Sequence, residues 1–286
     1  MTHPRRTIEI ELSDLTIHGL TYGEETSDIT NVLCLHGWLD NANSFRPLLP
    51  LIPELNAVAI DLPGHGRSGH LNQAVPYTIA SSAHYVLQTA EALGWESFHL
   101  VGHSLGGCIG PVCAIAASDR VQSLTMIDAL GPISEHPDKL PDRLRRFHRE
   151  MSMRNHSTAR VFENIEQAVE SRMKAATLEY ESARLIIERQ LKTTAAGLQW
   201  RFDPKLRAAS PSYFTEEQVQ SILSAISCPA LCIVASQGYL ANNKHLENRT
   251  KCVKALKVKT LPGHHHLHLD NPEPVADTIS RFIQTN

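Results

Sequence analysis

A serine framed by glycines, Gly102-His103-Ser104-Leu105-Gly106, is the group in this chain best placed for covalent chemistry. The apolar run Phe98-His-Leu-Val precedes it, and Gly107-Cys-Ile-Gly-Pro-Val, which reads as helix, follows it. Strand, G-x-S-x-G and helix in that order form the context a nucleophile elbow requires. The turn is so tight that side chains at 102 and 106 would strike neighbouring backbone. The serine is then held in a strained conformation with its hydroxyl above the sheet. The helix that follows points its N-terminus at the site and favours developing negative charge. A glycine-rich turn that merely contains serine is the bland alternative, and the flanking elements argue against it.

A hydroxyl nucleophile needs donors for the oxyanion of a tetrahedral intermediate and a base for its proton. The residue after the serine supplies one donor, the N–H of Leu105, and the loop after an earlier strand supplies the other. Val32-Leu-Cys-Leu-His36-Gly37-Trp38 fits that loop, so the second donor is expected at the N–H of Trp38. The Trp38 side chain is expected to wall the pocket, with core packing as the alternative. His36, Gly37 and His103 are expected beside it. Late in the chain His264, His265, His266 and His268 crowd one loop, and any of them meets the chemical need for a base. A histidine-rich run also suits a metal, but no carboxylate-rich partner segment accompanies it, so neither metal nor cofactor is expected.

These groups need a scaffold. Residues 7–12 and 15–21 alternate polar and apolar, as half-exposed strands do. Val32–Leu35, Ala57–Ile60, Phe98–Val101, Leu124–Ile127 and Ala230–Val234 are short apolar runs suited to strands buried on both faces of a parallel sheet. Helical patterns over 78–93, 105–118, 215–226 and 273–284 alternate with them, which is the signature of an α/β fold. The pattern breaks over 133–211, a polar, basic and helical stretch that reads as an insertion over one sheet edge. Its arginines alternate with acids, as on a solvated helix face. Asp61 and Arg67, in Asp61-Leu-Pro-Gly-His-Gly-Arg-Ser68, are expected to pin that loop rather than bind substrate.

The 286-residue chain carries a net charge of −3, so nucleic acid and anionic membrane are not expected partners. No apolar run approaches the roughly 18 residues of a bilayer span, and Met1–Thr7 lacks a signal-peptide pattern, so a cytoplasmic protein is expected. The six cysteines lack metal or disulfide spacing and read as reduced thiols, mostly in the core.

Four segments, in this order along the chain, resemble the α/β-hydrolase superfamily. They are His36-Gly-Trp with Asp40-Asn-Ala-Asn-Ser-Phe45; Asp61–Ser68; Gly102–Gly107; and Gly263-His-His-His-Leu-His-Leu-Asp-Asn-Pro272. Within the superfamily the first segment is most similar to the serine hydrolase-like group. The resemblance implies a mostly parallel eight-stranded sheet flanked by helices. It also implies a core of 1–132 and 212–286 with a helical cap insertion over 133–211. In the family's closing pattern the base lies five residues before an acidic position. Counting from Asp270 selects His265, with His264 as the alternative. The usual place of the acid falls on Gly238, and no carboxylate lies between Cys228 and Glu247. Relatives of the haloalkane dehalogenase branch place the acid one strand earlier, where this chain has Asp128. The alternative is that Asp128 only caps a turn and that water or Gln237 orients the histidine.

The resemblance implies a serine hydrolase that cleaves small carboxylic esters through an acyl-enzyme on Ser104. Thioesterase, amidase and carbon–carbon bond hydrolase chemistry use the same machinery, and a catalytically weak binding protein is the non-enzymatic alternative. A serine rather than an aspartate nucleophile argues against dehalogenase or epoxide hydrolase chemistry.

Overall fold

The computed structural model describes residues 6–23, 30–154 and 160–286. The opening residues 1–5, part of the stretch read above as lacking a signal-peptide pattern, lie outside them. Eight strands form the main sheet: β1 (Arg6–Glu11), β2 (Thr16–Tyr22), β3 (Thr30–Leu35), β4 (Leu55–Ile60), β5 (Phe98–His103), β6 (Val121–Ile127), β10 (Ala230–Ala235) and β11 (Leu256–Leu261). Their order is β1-β2-β4-β3-β5-β6-β10-β11. β1, β2 and β4 pair antiparallel, and every pairing from β4 to β11 is parallel. The apolar runs occupy the centre, where helices cover both faces and leave no polar side to the strand. β5 and β10 are buried at every position.

β11, Leu256-Lys-Val-Lys-Thr-Leu, has no apolar run. It is the sheet edge, mostly exposed, and its lysines discourage pairing with another chain.

On one face α1 (Ile79–Ala92), α2 (Leu105–Ala116) and α6 (Glu216–Ser224) join a core with Leu33, Leu35, Leu100 and Met126. On the other, the 3-10 turn at Ala42–Phe45 and α9 (Pro272–Gln284) pack on Val32, Cys34, Val101 and Ile233. Five of the six cysteines are buried, and all six are free thiols. Among the described residues no helix is long and apolar enough to cross a membrane.

Residues 133–211 hold α3 (Leu140–Arg154), α4 (Ile165–Met173) and α5 (Tyr180–Gln190), and also a three-stranded sheet absent from the helical reading. β7 (Val161–Phe162), β8 (Leu191–Thr194) and β9 (Gly197–Trp200) pair in the order β7-β9-β8. These strands are two to four residues long and, Phe162 apart, only partly buried, so they leave no apolar run to read. The segment has its own apolar cluster, built from Phe162, Val169, Leu178, Ile186 and Ile187.

Asp61 is fully buried, and its carboxylate receives the N–H groups of Ala42 and Arg67 and the guanidinium of Arg189. The cation that balances it therefore comes from α5. Arg67 contributes only its backbone, and its side chain is exposed.

Candidate active site

Ser104 lies between β5 and α2 with φ 50° and ψ −107°, a positive-φ conformation that a side chain adopts only at a cost. Neighbouring strands pin it there. Its N–H reaches Ile127 O at 3.0 Å, and Gly106 N–H reaches His36 O at 3.1 Å. A Cβ at Gly102 would collide with the backbone of Gly106, and one at Gly106 with the carbonyl of Leu35. The two glycines are therefore steric requirements of the elbow. Among the described residues the N–H groups of Leu105 and Trp38 carry no hydrogen bond, which leaves both free to donate. Trp38 belongs to a turn closed by Asp40 N–H on Gly37 O at 3.0 Å, in which Leu39 holds φ 59°.

His265 Nδ1–H donates to Asp128 Oδ2 at 2.6 Å, so the tautomer leaves Nε2 as the acceptor. His264 is exposed and is not paired with that carboxylate. Asp128 follows β6 with φ 46°; its carboxylate is buried and also accepts from Ala235 N–H at 3.2 Å and Tyr239 N–H at 2.9 Å. A fan of three donors fixes the position of this buried carboxylate. Gln237 is exposed and spends its N–H on Gly263 O, so it has no part in that fan.

Gly238 accounts for the displaced acid. A Cβ there would collide with both carboxylate oxygens of Asp128. The volume that the usual acid would fill from β10 is filled from β6 instead, and glycine keeps it open. Gly238→Ala should therefore push Asp128 away from His265 and lower kcat by roughly 10- to 100-fold, the scale of an ångström's misplacement. Steady-state kinetics on a model ester measure this; unchanged kcat would mean that the carboxylate is not needed where it lies.

The expected pocket walls divide. Trp38 is 52% exposed, with its Nε1–H on Leu206 O at 2.9 Å, so the core-packing alternative fails. Gly37, His36 and His103 do not face a pocket; all three are buried. His36 Nδ1–H donates to Gly37 O at 2.7 Å and its Nε2 accepts from Leu62 N–H at 2.9 Å. Both ring nitrogens are thus spent on loop backbone. His103 Nε2–H donates to His265 O at 2.9 Å, and burial first, then the neighbouring rings, keeps it neutral. These residues build the floor beneath the site. Tyr239 was not anticipated: its ring lies 4.3 Å from that of His265 and it is 68% exposed.

A second polar group lies behind the base. Asp40, His103 and His266 bring ligating atoms within 4.8 Å of one another, the one such group among the described residues. Arg172 of α4 already places a cation there, 2.5 Å from Asp40 Oδ1 and 3.5 Å from His266 Nε2. Burial would raise the Asp40 carboxyl, but Arg172 and His266 outweigh it and hold the group well below the usual carboxylate range. A dication would have to displace or adjoin that guanidinium. His268, fully buried against Ser44 Oγ at 2.8 Å, is pushed by burial down to about 3 and stays neutral.

Comparison with known proteins bears on the family and the fold. The sequence profile of the α/β hydrolase fold matches residues 30–272. A serine hydrolase-like protein of Danio rerio is 30% identical over 88% of this chain and 81% of its own length. The crystal structure of a hypothetical protein from Pseudomonas aeruginosa superposes with a TM-score of 0.91 at 33% identity, covering 97% of this chain and 99% of that one. A thioesterase domain from the curacin biosynthetic pathway, 21% identical with a TM-score of 0.84 over 98% of this chain and 99% of its own, shares the fold.

Proposed function

This chain belongs to the α/β-hydrolase fold family, in its serine hydrolase-like group, and from that premise we propose that it is a serine esterase acting on small uncharged carboxylic esters. The observation that carries the reading is the buried Asp128 carboxylate on His265 Nδ1 at 2.6 Å, with the His265 carbonyl held by His103, the residue before the strained Ser104. His265 Nε2 takes the Ser104 proton as Oγ attacks the ester carbonyl. Asp128 stabilises the imidazolium that results. The N–H groups of Trp38 and Leu105 hold the oxyanion. Collapse of the tetrahedral intermediate expels the alcohol, which takes its proton from His265. Water activated by the same ring then frees the acid and restores Ser104.

Residues 133–211 act as a cap over this site. Trp38, Tyr239 and Ile133, each more than half exposed, supply apolar surface for the substrate. Arg172 is paired with Asp40 and Arg189 with Asp61, so neither guanidinium is left over for an anionic substrate, which favours a neutral ligand.

The proposal predicts that p-nitrophenyl acetate or butyrate releases a rapid burst of about one equivalent of p-nitrophenol per enzyme before steady turnover, as an acyl-enzyme that hydrolyses more slowly than it forms produces with activated esters. Stopped-flow absorbance measures it. Absence of both burst and turnover, with no labelling of Ser104 by a fluorophosphonate, would make the protein a binding module. A thioester is the second reading, because the same groups attack either carbonyl and one protein of this fold is a thioesterase domain. Faster turnover of butyrylthiocholine than of the matching oxygen ester would favour it.

A further inference from the structure

We propose that Arg172 is a positioning residue for the oxyanion hole, and that residues 133–211 assemble that hole by clamping the turn Gly37–Asp40. The inference rests on the esterase reading above. The turn is a poor free-standing structure, because Leu39 is a non-glycine residue at φ 59°. Such a conformation is strained and persists only where its surroundings over-determine it. Its own loop supplies two bonds, Asp40 N–H and His36 Nδ1–H, and both fall on Gly37 O.

The rest of the restraint comes from beyond residue 133. Arg172 holds the Asp40 carboxylate, which is 1% exposed, at the end of the turn. Leu206 O receives the indole N–H of Trp38, the residue that carries the donor. Asn41 Nδ2–H donates to Ile186 O at 2.8 Å and Gln190 Oε1 at 3.1 Å. Arg189 grips Asp61, whose Oδ1 accepts the next N–H, that of Ala42. Consecutive residues of the oxyanion loop are thus tied to α4, α5 and the 3-10 turn at Pro204–Arg207. The same carboxylate reaches the base side of the site: Asp40 Oδ2 lies 3.3 Å from His266 Nε2 and 3.8 Å from His103 Nδ1, and His103 holds the His265 carbonyl. An undocked segment would leave the Trp38 N–H unplaced, so the site is complete only when closed.

Arg172→Gln and Arg172→Lys test this. An oxyanion donor acts in the transition state, and loss of one costs about 10²–10³ in kcat. Loosening it through Arg172→Gln should therefore lower kcat by roughly 10- to 100-fold with KM within about twofold, the pattern of a contact made only in the transition state. Affinity for an ester-mimicking trifluoromethyl ketone should fall in parallel, and Arg172→Lys should recover part of both. Amide hydrogen exchange at residues 37–40 should quicken in Arg172→Gln, a readout that needs no turnover. Unchanged exchange at 37–40 overturns the proposal. So does a fall in melting temperature with kcat of the folded fraction within threefold of wild type. A wild type that hydrolyses no ester would remove the esterase reading alone, because exchange would still report the clamp.

Discussion

Ser104→Ala should cut kcat for p-nitrophenyl ester hydrolysis by about 10⁶-fold, the cost of deleting the nucleophile of a serine triad. What remains is attack by water on a carbonyl that Trp38 and Leu105 can still polarise, a rate above that of the uncatalysed reaction. KM should move little, because among the described residues the Ser104 hydroxyl makes no hydrogen bond whose loss would reshape the site. The fold should survive. Alanine at φ 50° carries a strain similar to that of serine, and the bonds that pin position 104 are backbone bonds. Steady-state kinetics with active-site titration give the number, and intact-mass analysis after fluorophosphonate treatment gives its cause. A variant that keeps even a tenth of wild-type kcat would remove Ser104 from the chemistry.

Asp128→Asn should cost about 10⁴-fold in kcat, and for a different reason. The carboxylate is acceptor-only, and it forces the proton of His265 onto Nδ1. The amide can turn its NH₂ toward the ring. Nδ1 then accepts, Nε2 carries the hydrogen, and the face toward Ser104 loses its base. The imidazolium also loses its counter-charge. Size is conserved, and the amide oxygen at the Oδ1 position can still take the Ala235 N–H, while the Tyr239 N–H, which shares Oδ2 with His265, loses its acceptor; thermal unfolding should therefore shift less than activity. Near-wild-type turnover would leave Asp128 as a turn cap and end its assignment as the triad acid.

Most of what positions these groups is legible in the chain, because it is written as sterics and burial. The run before Ser104 has to be a buried strand, Gly102 and Gly106 are glycines that backbone contact requires, and a carboxylate at the end of β6 was the one available near the base. The structure then brings His265 rather than His264 to Asp128. What stayed hidden depends on direction and distance. His36 and His103 adjoin the motif residues in the sequence, but adjacency does not say which way a ring turns, and both turn into the loops below the site. Arg172 is one arginine among several on polar helices, and its partner lies 132 positions away, so no local pattern marks it. The small sheet in 133–211 escaped because strands of two to four residues carry too few positions for a period to emerge.

Ser104 and Asp128 follow neighbouring strands in matched register, His103 opposite Ile127, so their separation is fixed by a single backbone ladder. In the loop after β10 only the Tyr239 N–H and the bare backbone of Gly238 serve Asp128, which leaves the other side chains of that loop without such a duty. Ser236, Gln237 and Tyr239 of that loop face solvent, and Tyr239 lies over the base. Drift at those positions alters what the mouth of the site admits while the charge that drives it stays untouched. A lineage built this way can acquire new substrates by substitution at the rim, where most surface changes cost within about 0.5 kcal/mol of stability.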